Sequence, residues 1–228
     1  MSESKEPEGS TLREAFPPAT SFQFSEQLRP AIVGVLTLTV LTGCVFPLLL
    51  FAIGRPLFPR QANGSLLIRD GVIVGSEQIG QQFTQPEYFQ PRPSAAGKGY
   101  DATASSGTNL GPNNSKLKDG AAGFPGIRQL AEEYRRSNGL SPDTPIPADA
   151  VTRSASGLDP DISPENAALQ ARRVAQARGV SRAVVLRLVA DYIKGPQFGV
   201  LGSPRVSVLE LNLALDQSLK RPLETKAR

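Results

Sequence analysis

The residue types that most often carry out chemistry in proteins are scarce in this chain. Its 228 residues contain no histidine. That absence excludes the commonest general base, the usual zinc ligand and every Ser-His-Asp or Cys-His arrangement. The single cysteine, Cys44, lies inside an apolar stretch, so an intramolecular disulfide is impossible and redox chemistry is not expected. A catalytic function would depend on carboxylates or lysines alone.

The closest approach to a phosphate-binding P-loop is Gly97-Lys98-Gly99. Arg92 occupies the position of the first glycine of that motif, and Gly99 stands where a Ser or Thr should bind magnesium. A dinucleotide-binding G-x-G-x-x-G pattern after a strand is also absent. We therefore interpret this segment as a flexible basic loop rather than a phosphate site.

Asp159 and Asp161 form the one acidic pair that could suggest acid–base chemistry. They are two residues apart and stand just before Ser163-Pro164, a helix-start signal. Acidic residues are favoured in turns and near helix N-termini, where they interact with the helix dipole. We interpret the pair as turn and helix-entry structure.

The element that positions everything else is an uncharged apolar stretch at residues 31–54. At about 1.5 Å per residue a helix of this length spans the roughly 30 Å hydrocarbon core of a bilayer. The alternative, a buried core helix of a soluble protein, is disfavoured by the length. The sequence thus predicts a disordered leader (1–28), one transmembrane anchor (29–55) and a soluble domain (56–228).

Three residues of the anchor suggest how it packs in the membrane. Thr39 and Gly43 are four apart and share a helix face, where small residues let another helix approach closely. Pro47 should kink the last turns. A partner helix is the functional interpretation; the alternative is that Gly and Thr are common in any span. Because the span has no ionisable residue, this helix alone is not expected to conduct ions.

Charge says little about partners or orientation. The net charge is +4, and the basic residues are dispersed rather than clustered, so a nucleic-acid partner is not expected. Arg13 and Arg29 stand on one side of the span, and Arg55, Arg60 and Arg69 on the other. The positive-inside rule leans slightly toward a cytoplasmic C-terminal part but decides nothing, because long domains translocate largely regardless of such differences.

The soluble domain is predicted to be α+β. Asp70-Gly71 between two short apolar runs predicts a β-hairpin. Residues 81–125 are dense in Gly, Pro, Ser and Asn and predict a long irregular excursion of the kind that often forms a contact surface. Three to four helices follow, with a strand near the end: residues 126–137, a helix capped by Ser163 and stopped by Gly179, a helix from Ser181 to Gly195-Pro196, strand 206–209, and a short helix at 211–219.

Many ordered blocks of the chain resemble the C subunit of the Kdp-type high-affinity potassium-transporting P-type ATPase of bacteria and archaea. The resemblance covers residues 28–216, nearly everything except the leader and the tail. The blocks that carry it are Leu28-Arg29-Pro30-Ala31, Leu41-Thr42-Gly43, Phe46-Pro47-Leu48, 58–66, 75–76, 79–81, 88–95, 104–112, 154–160, Arg173-Val174-Ala175, Ala177-Arg178 and 211–216.

This resemblance implies a non-catalytic, accessory subunit of a potassium uptake complex. Its partners would be a channel-like potassium-binding subunit, an ATP-hydrolysing P-type subunit and membrane lipid. The P-type subunit needs an Asp-Lys-Thr-Gly phosphorylation motif, which this chain lacks. The family's C subunit has also been described as a catalytic chaperone that raises ATP affinity through a glutamine. Gln170 matches that position; the alternative is a structural amide on the helix surface.

The two functional interpretations compete because ATP is cytoplasmic. The resemblance implies a single-pass protein of the plasma (inner) membrane with its soluble domain extracytoplasmic, where Gln170 could not reach ATP. No tightly bound cofactor is expected, and ATP could only be a ligand shared with the ATP-hydrolysing subunit. The domain would instead contact the potassium-binding subunit through the excursion around residues 88–112. An alternative is a stand-alone single-span ligand-binding or sensor protein. The expected contact residues are Tyr88, Phe89, Arg92, Pro93 and Asn109.

Overall fold

A computed structural model describes residues 24–219. The predicted leader lies almost entirely outside these residues. The described chain divides into two units that meet at Pro59 and Arg60: an N-terminal helical unit and a domain that follows it.

The N-terminal unit is one continuous helix from Phe24 to Leu57, long and apolar enough to cross a membrane. It consists of α1 (Phe24–Val40), a π-helical turn (Leu41–Val45) and α2 (Phe46–Leu57). The predicted anchor, 29–55, lies inside this helix, which begins at Phe24.

The π-helical turn stands directly before Pro47. Phe46 N–H donates to the carbonyl of Leu41, five residues back, and Pro47 has no N–H to donate. A wider turn at this point gives the proline ring the space that a regular α-turn denies it. The face with Thr39 and Gly43 remains open, since nothing lies within 4 Å of the position that a Cβ on Gly43 would take. The helix therefore changes type directly before Pro47, and the predicted kink of the last turns stays a prediction.

The second unit begins with a short helix and the predicted hairpin. Its strands pair antiparallel, with one irregularity in register between Leu67 and Ile68. The turn residues Asp70 and Gly71 have φ values of 51° and 78°, the left-handed conformations that a two-residue hairpin turn requires. The bounds are α3 (Pro59–Ala62), β1 (Leu66–Arg69) and β2 (Val72–Ser76).

The main body packs three helices against a small antiparallel sheet of order β3-β5-β4. A short helix and a longer one precede this body, and a single 3-10 turn (Ala148–Ala150) connects them to it. The remaining elements are α4 (Ser115–Asp119), α5 (Ile127–Asn138), β3 (Asp161–Ile162), α6 (Pro164–Arg178), α7 (Arg182–Asp191), β4 (Ile193–Lys194), β5 (Arg205–Ser207) and α8 (Val208–Ser218). The predicted α+β class is confirmed.

The helices of the main body start at serine caps, as predicted for two of them. The Oγ atoms of Ser163, Ser181 and Ser207 each accept a hydrogen bond from the backbone N–H three residues on. Gly179 ends α6 in the left-handed conformation. The core beneath these helices contains Ile162, Ala167, Ala171, Val174, Val185, Val189, Val206, Leu211 and Leu215, together with Phe89 from the excursion.

Two predicted boundaries are wrong. The strand expected at 206–209 ends at Ser207, because Ser207 caps α8 and Val208 already belongs to that helix. The helix expected to run to Gly195-Pro196 ends at Asp191, because residues 193 and 194 pair with β5 instead. On the same helix Val184 is 42% exposed.

Candidate functional site

The excursion at residues 81–125 contains one short helix, α4, and is otherwise irregular. A segment of this length without its own sheet or helix must satisfy its backbone groups by other means. Side chains from α6 and α8 supply hydrogen bonds to the backbone of residues 86–90. The loop at residues 154–160 binds Arg92 and Ser94. We call residues 86–94 the clamped segment.

Two amide side chains hold the clamped segment as a neighbouring β-strand would. The Asn212 amide accepts from Phe89 N–H at 2.8 Å and donates to Phe89 carbonyl at 2.9 Å. The Gln170 amide accepts from Gln90 N–H at 2.7 Å and donates to Gln90 carbonyl at 2.9 Å. Each pair of bonds satisfies both polar groups of one residue, in the manner of a sheet ladder.

Two arginines of α6 bind the preceding carbonyls. Arg173 donates to the carbonyls of Pro86 and Tyr88 at 2.6 and 2.9 Å, and Arg178 donates to that of Glu87 at 2.8 Å. A guanidinium suits this task because its five N–H donors lie in a rigid plane. Both arginines are buried, and burial lowers the pKa of the Arg173 guanidinium. Among the bonds described for Arg173, every acceptor is a neutral carbonyl or amide oxygen. The charge of this guanidinium is therefore stabilised by dipoles and not by a carboxylate.

The amide of Gln170 has no hydrogen-bonding capacity left for a ligand. Its oxygen accepts from Gln90 N–H and from Arg173, and its nitrogen donates to Gln90 carbonyl and to Asn166 Oδ1. A side-chain amide has two donor hydrogens and two acceptor lone pairs, and all four are used. Gln170 is only 1% exposed, so the alternative interpretation of it as a helix-surface amide is wrong.

Asp216 of α8 connects three parts of the domain. Its carboxylate accepts from Arg178 at 2.8 Å and from the Tyr88 hydroxyl at 3.1 Å, and it lies 3.6 Å from the Arg69 guanidinium of the hairpin. Burial raises the pKa of the Tyr88 phenol, and the Asp216 carboxylate raises it further. The phenol is therefore a neutral hydrogen-bond donor at physiological pH.

The end of the clamped segment is fastened to the loop at residues 154–160. Arg92 forms an ion pair with Asp159 at 2.6 Å, and Ser94 Oγ donates to the carbonyl of Gly157 at 2.6 Å. The Tyr100 hydroxyl then donates to Arg92 carbonyl at 2.7 Å, and burial raises the pKa of that phenol. The acidic residue Asp159 thus has a structural partner.

Beyond this point the excursion reaches the surface. Every residue from 101 to 120 is exposed or half-buried, and we call this stretch the outer segment. It touches the rest of the domain at few points, among them the hydrogen bond from Ser106 N–H to Ser156 carbonyl. Asn109 is exposed and has a φ of 50°, a conformation that asparagine adopts more readily than most residues.

The five residues expected to contact a partner therefore differ in position. Phe89 is 0% exposed and belongs to the core, so it offers no surface to a partner. Tyr88, Arg92 and Pro93 are half-buried, and the first two are engaged with Asp216 and Asp159. Asn109 alone among the five is exposed.

The largest cleft described, about 1060 Å³, lies beside α6 and the sheet. Most of its charged groups are paired within the domain: Arg92 with Asp159, Arg205 with Asp161, and the Asp149 carboxylate with the N-terminus of α6 through Ser163. Burial is the largest influence on Asp161 and raises its pKa despite the nearby Arg205. Glu165 also lines the cleft, where it is exposed to solvent in the first turn of α6.

Comparison with known proteins decides the family. A family model described as the c chain of the K+-transporting ATPase, KdpC, matches residues 28–217. The chain belongs to the KdpC family. A relative from Mycobacterium tuberculosis strain H37Rv, named potassium-transporting ATPase KdpC subunit, is 53% identical over 191 residues, which are 84% of this chain and 98% of the relative.

Two further relatives carry the same name. The one from Caulobacter vibrioides strain NA1000 is 51% identical over 190 residues, 83% of this chain and 92% of its own length. The one from Gemmatimonas aurantiaca is 53% identical over 192 residues, 84% of this chain and 92% of its own length. The resemblance drawn from the sequence blocks is thereby confirmed.

Sequence reasoning missed most of the residues that build this KdpC-family site. Arg173, Arg178, Asn212 and Asp216 lie inside blocks that carried the resemblance, but no function was assigned to them. A usable signal was present: Gln170 and Arg173 stand on the same helix face as the apolar residues of α6. Large polar residues within a buried stripe require buried partners.

Proposed function

We propose that this chain is the accessory subunit of an ATP-driven potassium uptake complex and supports the assembly and activity of its other subunits. Its relatives are named as subunits of a potassium-transporting ATPase, and one helix of the chain has the length and composition of a membrane span. The partners are the channel-like potassium-binding subunit and the ATP-hydrolysing P-type subunit. The chain is a single-pass protein of the plasma (inner) membrane with its domain on the extracytoplasmic side.

The observation that carries this proposal is the set of hydrogen bonds that holds the clamped segment, which we call the clamp. Side chains from two helices fix residues 86–90 and the loop at 154–160 holds Arg92 and Ser94, while the outer segment that follows is exposed. Surface loops on a rigid scaffold are the usual location of binding residues. The outer segment, with Asn109, is accordingly the contact with the potassium-binding subunit, and the half-buried Tyr88, Arg92 and Pro93 support it.

A thiol-protection experiment tests both the contact and the side of the membrane. A cysteine is placed at Asn113, since Asn109 has a left-handed φ that cysteine tolerates poorly, in a chain whose own Cys44 is changed to alanine. A membrane-impermeant maleimide should label Asn113→Cys from the outside in the free chain, and the assembled complex should protect it. Glu132→Cys, on the exposed surface of α5, is the matched control and should stay reactive in both.

Each part of the proposal has its own contrary result. Equal labelling of Asn113→Cys in the free chain and in the complex would exclude the outer segment as the contact. Labelling of both cysteines from the cytoplasmic side only would place the domain inside the cell and return ATP to consideration.

Regulation of ATP affinity through Gln170 makes a different prediction from a structural amide. Gln170→Leu leaves both backbone groups of Gln90 without partners, so we expect the free energy of unfolding to fall by roughly 2–3 kcal/mol. Gln176→Leu, on the exposed side of the same helix, should change it little. In complexes that still assemble, the ATP dependence of hydrolysis should be unchanged. A weakened ATP affinity with unchanged stability would instead support the nucleotide contact.

A further inference from the structure

The β1–β2 hairpin has two different faces. Its inner face packs on the domain: Gly75 lies so close to α8 that an added Cβ would be 2.7 Å from Leu209 Cδ2, and Arg69 lies 3.6 Å from Asp216. Gln81 also donates to Val74 carbonyl at 2.9 Å. This face is fully accounted for by contacts within the domain.

The outer face is apolar and uncovered. Ile68 and Ile73 are directly paired across the strands and are 66% and 58% exposed. Leu66, on the same face, is 43% exposed. An antiparallel sheet with one face on a core normally alternates apolar inward and polar outward. A hairpin with apolar residues on both faces breaks that rule, and such departures mark functional surfaces.

The chain itself limits what can cover this face. Eight residues separate the end of the membrane-spanning helix at Leu57 from the start of β1 at Leu66. At about 3.5 Å per residue they reach at most about 30 Å, whichever side of the membrane the domain occupies. The surface of the bilayer is therefore always available to the hairpin at high effective concentration, so even a weak contact is populated.

The size and charge of the face favour lipid over a protein. The three apolar residues fall far short of the roughly 20–30 residues per side of a stable protein interface. The arginines of the hairpin region are already paired, Arg60 with Glu77 and Arg69 with Asp216. The driving force is thus the burial of apolar surface at the lipid–water boundary and not attraction to anionic headgroups.

We propose that the outer face of the β1–β2 hairpin, formed by Leu66, Ile68 and Ile73, rests on the lipid–water interface. This contact fixes the domain at the bilayer surface. It is independent of the contact proposed for the outer segment and of the side on which the domain lies.

Fluorescence quenching in the full-length chain tests the proposal. In the Cys44→Ala background, a small fluorophore is attached at Ile68→Cys or, as a second site, Ile73→Cys, with Glu132→Cys as the control. The chain is reconstituted into phosphatidylcholine–phosphatidylglycerol vesicles, some of whose lipids carry a nitroxide close to the headgroup. We expect nitroxide quenching to be several-fold stronger at both hairpin sites than at the control, and aqueous iodide to show the reverse order.

Two further conditions sharpen the result. Raised ionic strength, which screens charge attraction, should leave the lipid quenching unchanged. Replacing Leu66 by serine should weaken it at Ile68→Cys. The proposal is overturned if iodide quenches the hairpin and control sites equally, or if nitroxide lipid quenches all three sites alike. It is also overturned if the hairpin sites become shielded from both quenchers only after the other subunits are added, because that result would assign the face to a protein.

Discussion

The two halves of the excursion are close in sequence and opposite in construction. The clamped segment places Phe89 in the core and has its backbone bonded to side chains of α6 and α8. The outer segment has no buried residue and is attached at few points. Both lie in one stretch rich in Gly, Pro, Ser and Asn, although the clamped segment itself contains no Gly or Asn. The difference shows that an irregular segment can be as fixed as a strand where a neighbouring helix supplies its hydrogen bonds.

This division suits a domain that binds a partner through an exposed segment. A surface that binds a partner must be presented in a defined position, yet its exposed residues add little to the stability of the domain. The clamp supplies the position, and the outer segment supplies the exposed residues. Substitutions in the two halves should therefore have separable effects, on stability in one half and on assembly in the other.

The largest effect is expected at Arg173. Arg173→Met would leave the carbonyls of Pro86 and Tyr88 and the amide oxygen of Asn138 without their donor in a buried environment. Each unsatisfied buried group costs about 1–3 kcal/mol, so we expect a loss of roughly 4 kcal/mol in the free energy of unfolding. Urea unfolding of the full-length chain in detergent, followed by tyrosine fluorescence, measures it.

The neighbouring Arg172 provides the matched control. It lies on the same helix but is exposed, and Arg172→Met should change stability by less than about 0.5 kcal/mol. If both variants lose stability equally, the loss reflects helix α6 itself, and the clamp is less important to the domain than its geometry indicates.

Much of the fold follows from local sequence signals. The Asp70-Gly71 turn, the Ser163 cap and the Gly179 stop each depend on the conformational preferences of one or two residues, and each was predicted. The long apolar helix follows from composition. The family follows from ordered sequence blocks, and the comparison with known proteins confirmed it.

The clamp could not be predicted because it is a tertiary feature. The hydrogen bonds from Gln170 to Gln90 join residues 80 apart, and those from Asn212 to Phe89 join residues 123 apart. Periodicity places Phe89 in no helix or strand, so its burial has no local signal. The same limit explains why the end of β5 was predicted wrongly. Ser207 can serve as a strand residue or a helix cap, and the packing of α8 determines where the strand ends and the helix begins.

A smaller effect is expected where the two halves meet. Gly157 has a φ of 69°, and a Cβ on it would lie 2.6 Å from Ser106 carbonyl oxygen and 2.7 Å from Ala96 nitrogen. Gly123 has a similar φ of 72° with nothing within 4 Å of that position. Alanine should cost about 1 kcal/mol at both sites through backbone strain alone. We expect Gly157→Ala to lose more than this in urea unfolding, and also to increase proteolysis of the outer segment; equal losses would show that the close approach is unimportant.

The smallest effect distinguishes the outer segment from the half-buried strand β3 by the sign of a pH dependence. Burial, and then Asp159, raises the pKa of Asp161, so its folded form binds a proton more tightly than the unfolded chain and its contribution to stability declines as pH rises above about 4. In the outer segment the hydrogen bonds from Thr103 lower the pKa of the exposed Asp101, so its contribution is present near neutral pH and is lost as pH falls below about 4. As pH rises from acidic to neutral, the difference in free energy of unfolding between the Asp161→Asn variant and the unaltered chain should shift in favour of the variant. For Asp101→Asn the same difference should shift in favour of the unaltered chain. Urea unfolding at several pH values measures both slopes, and slopes of the same sign would remove the electrostatic distinction between the buried and the exposed regions.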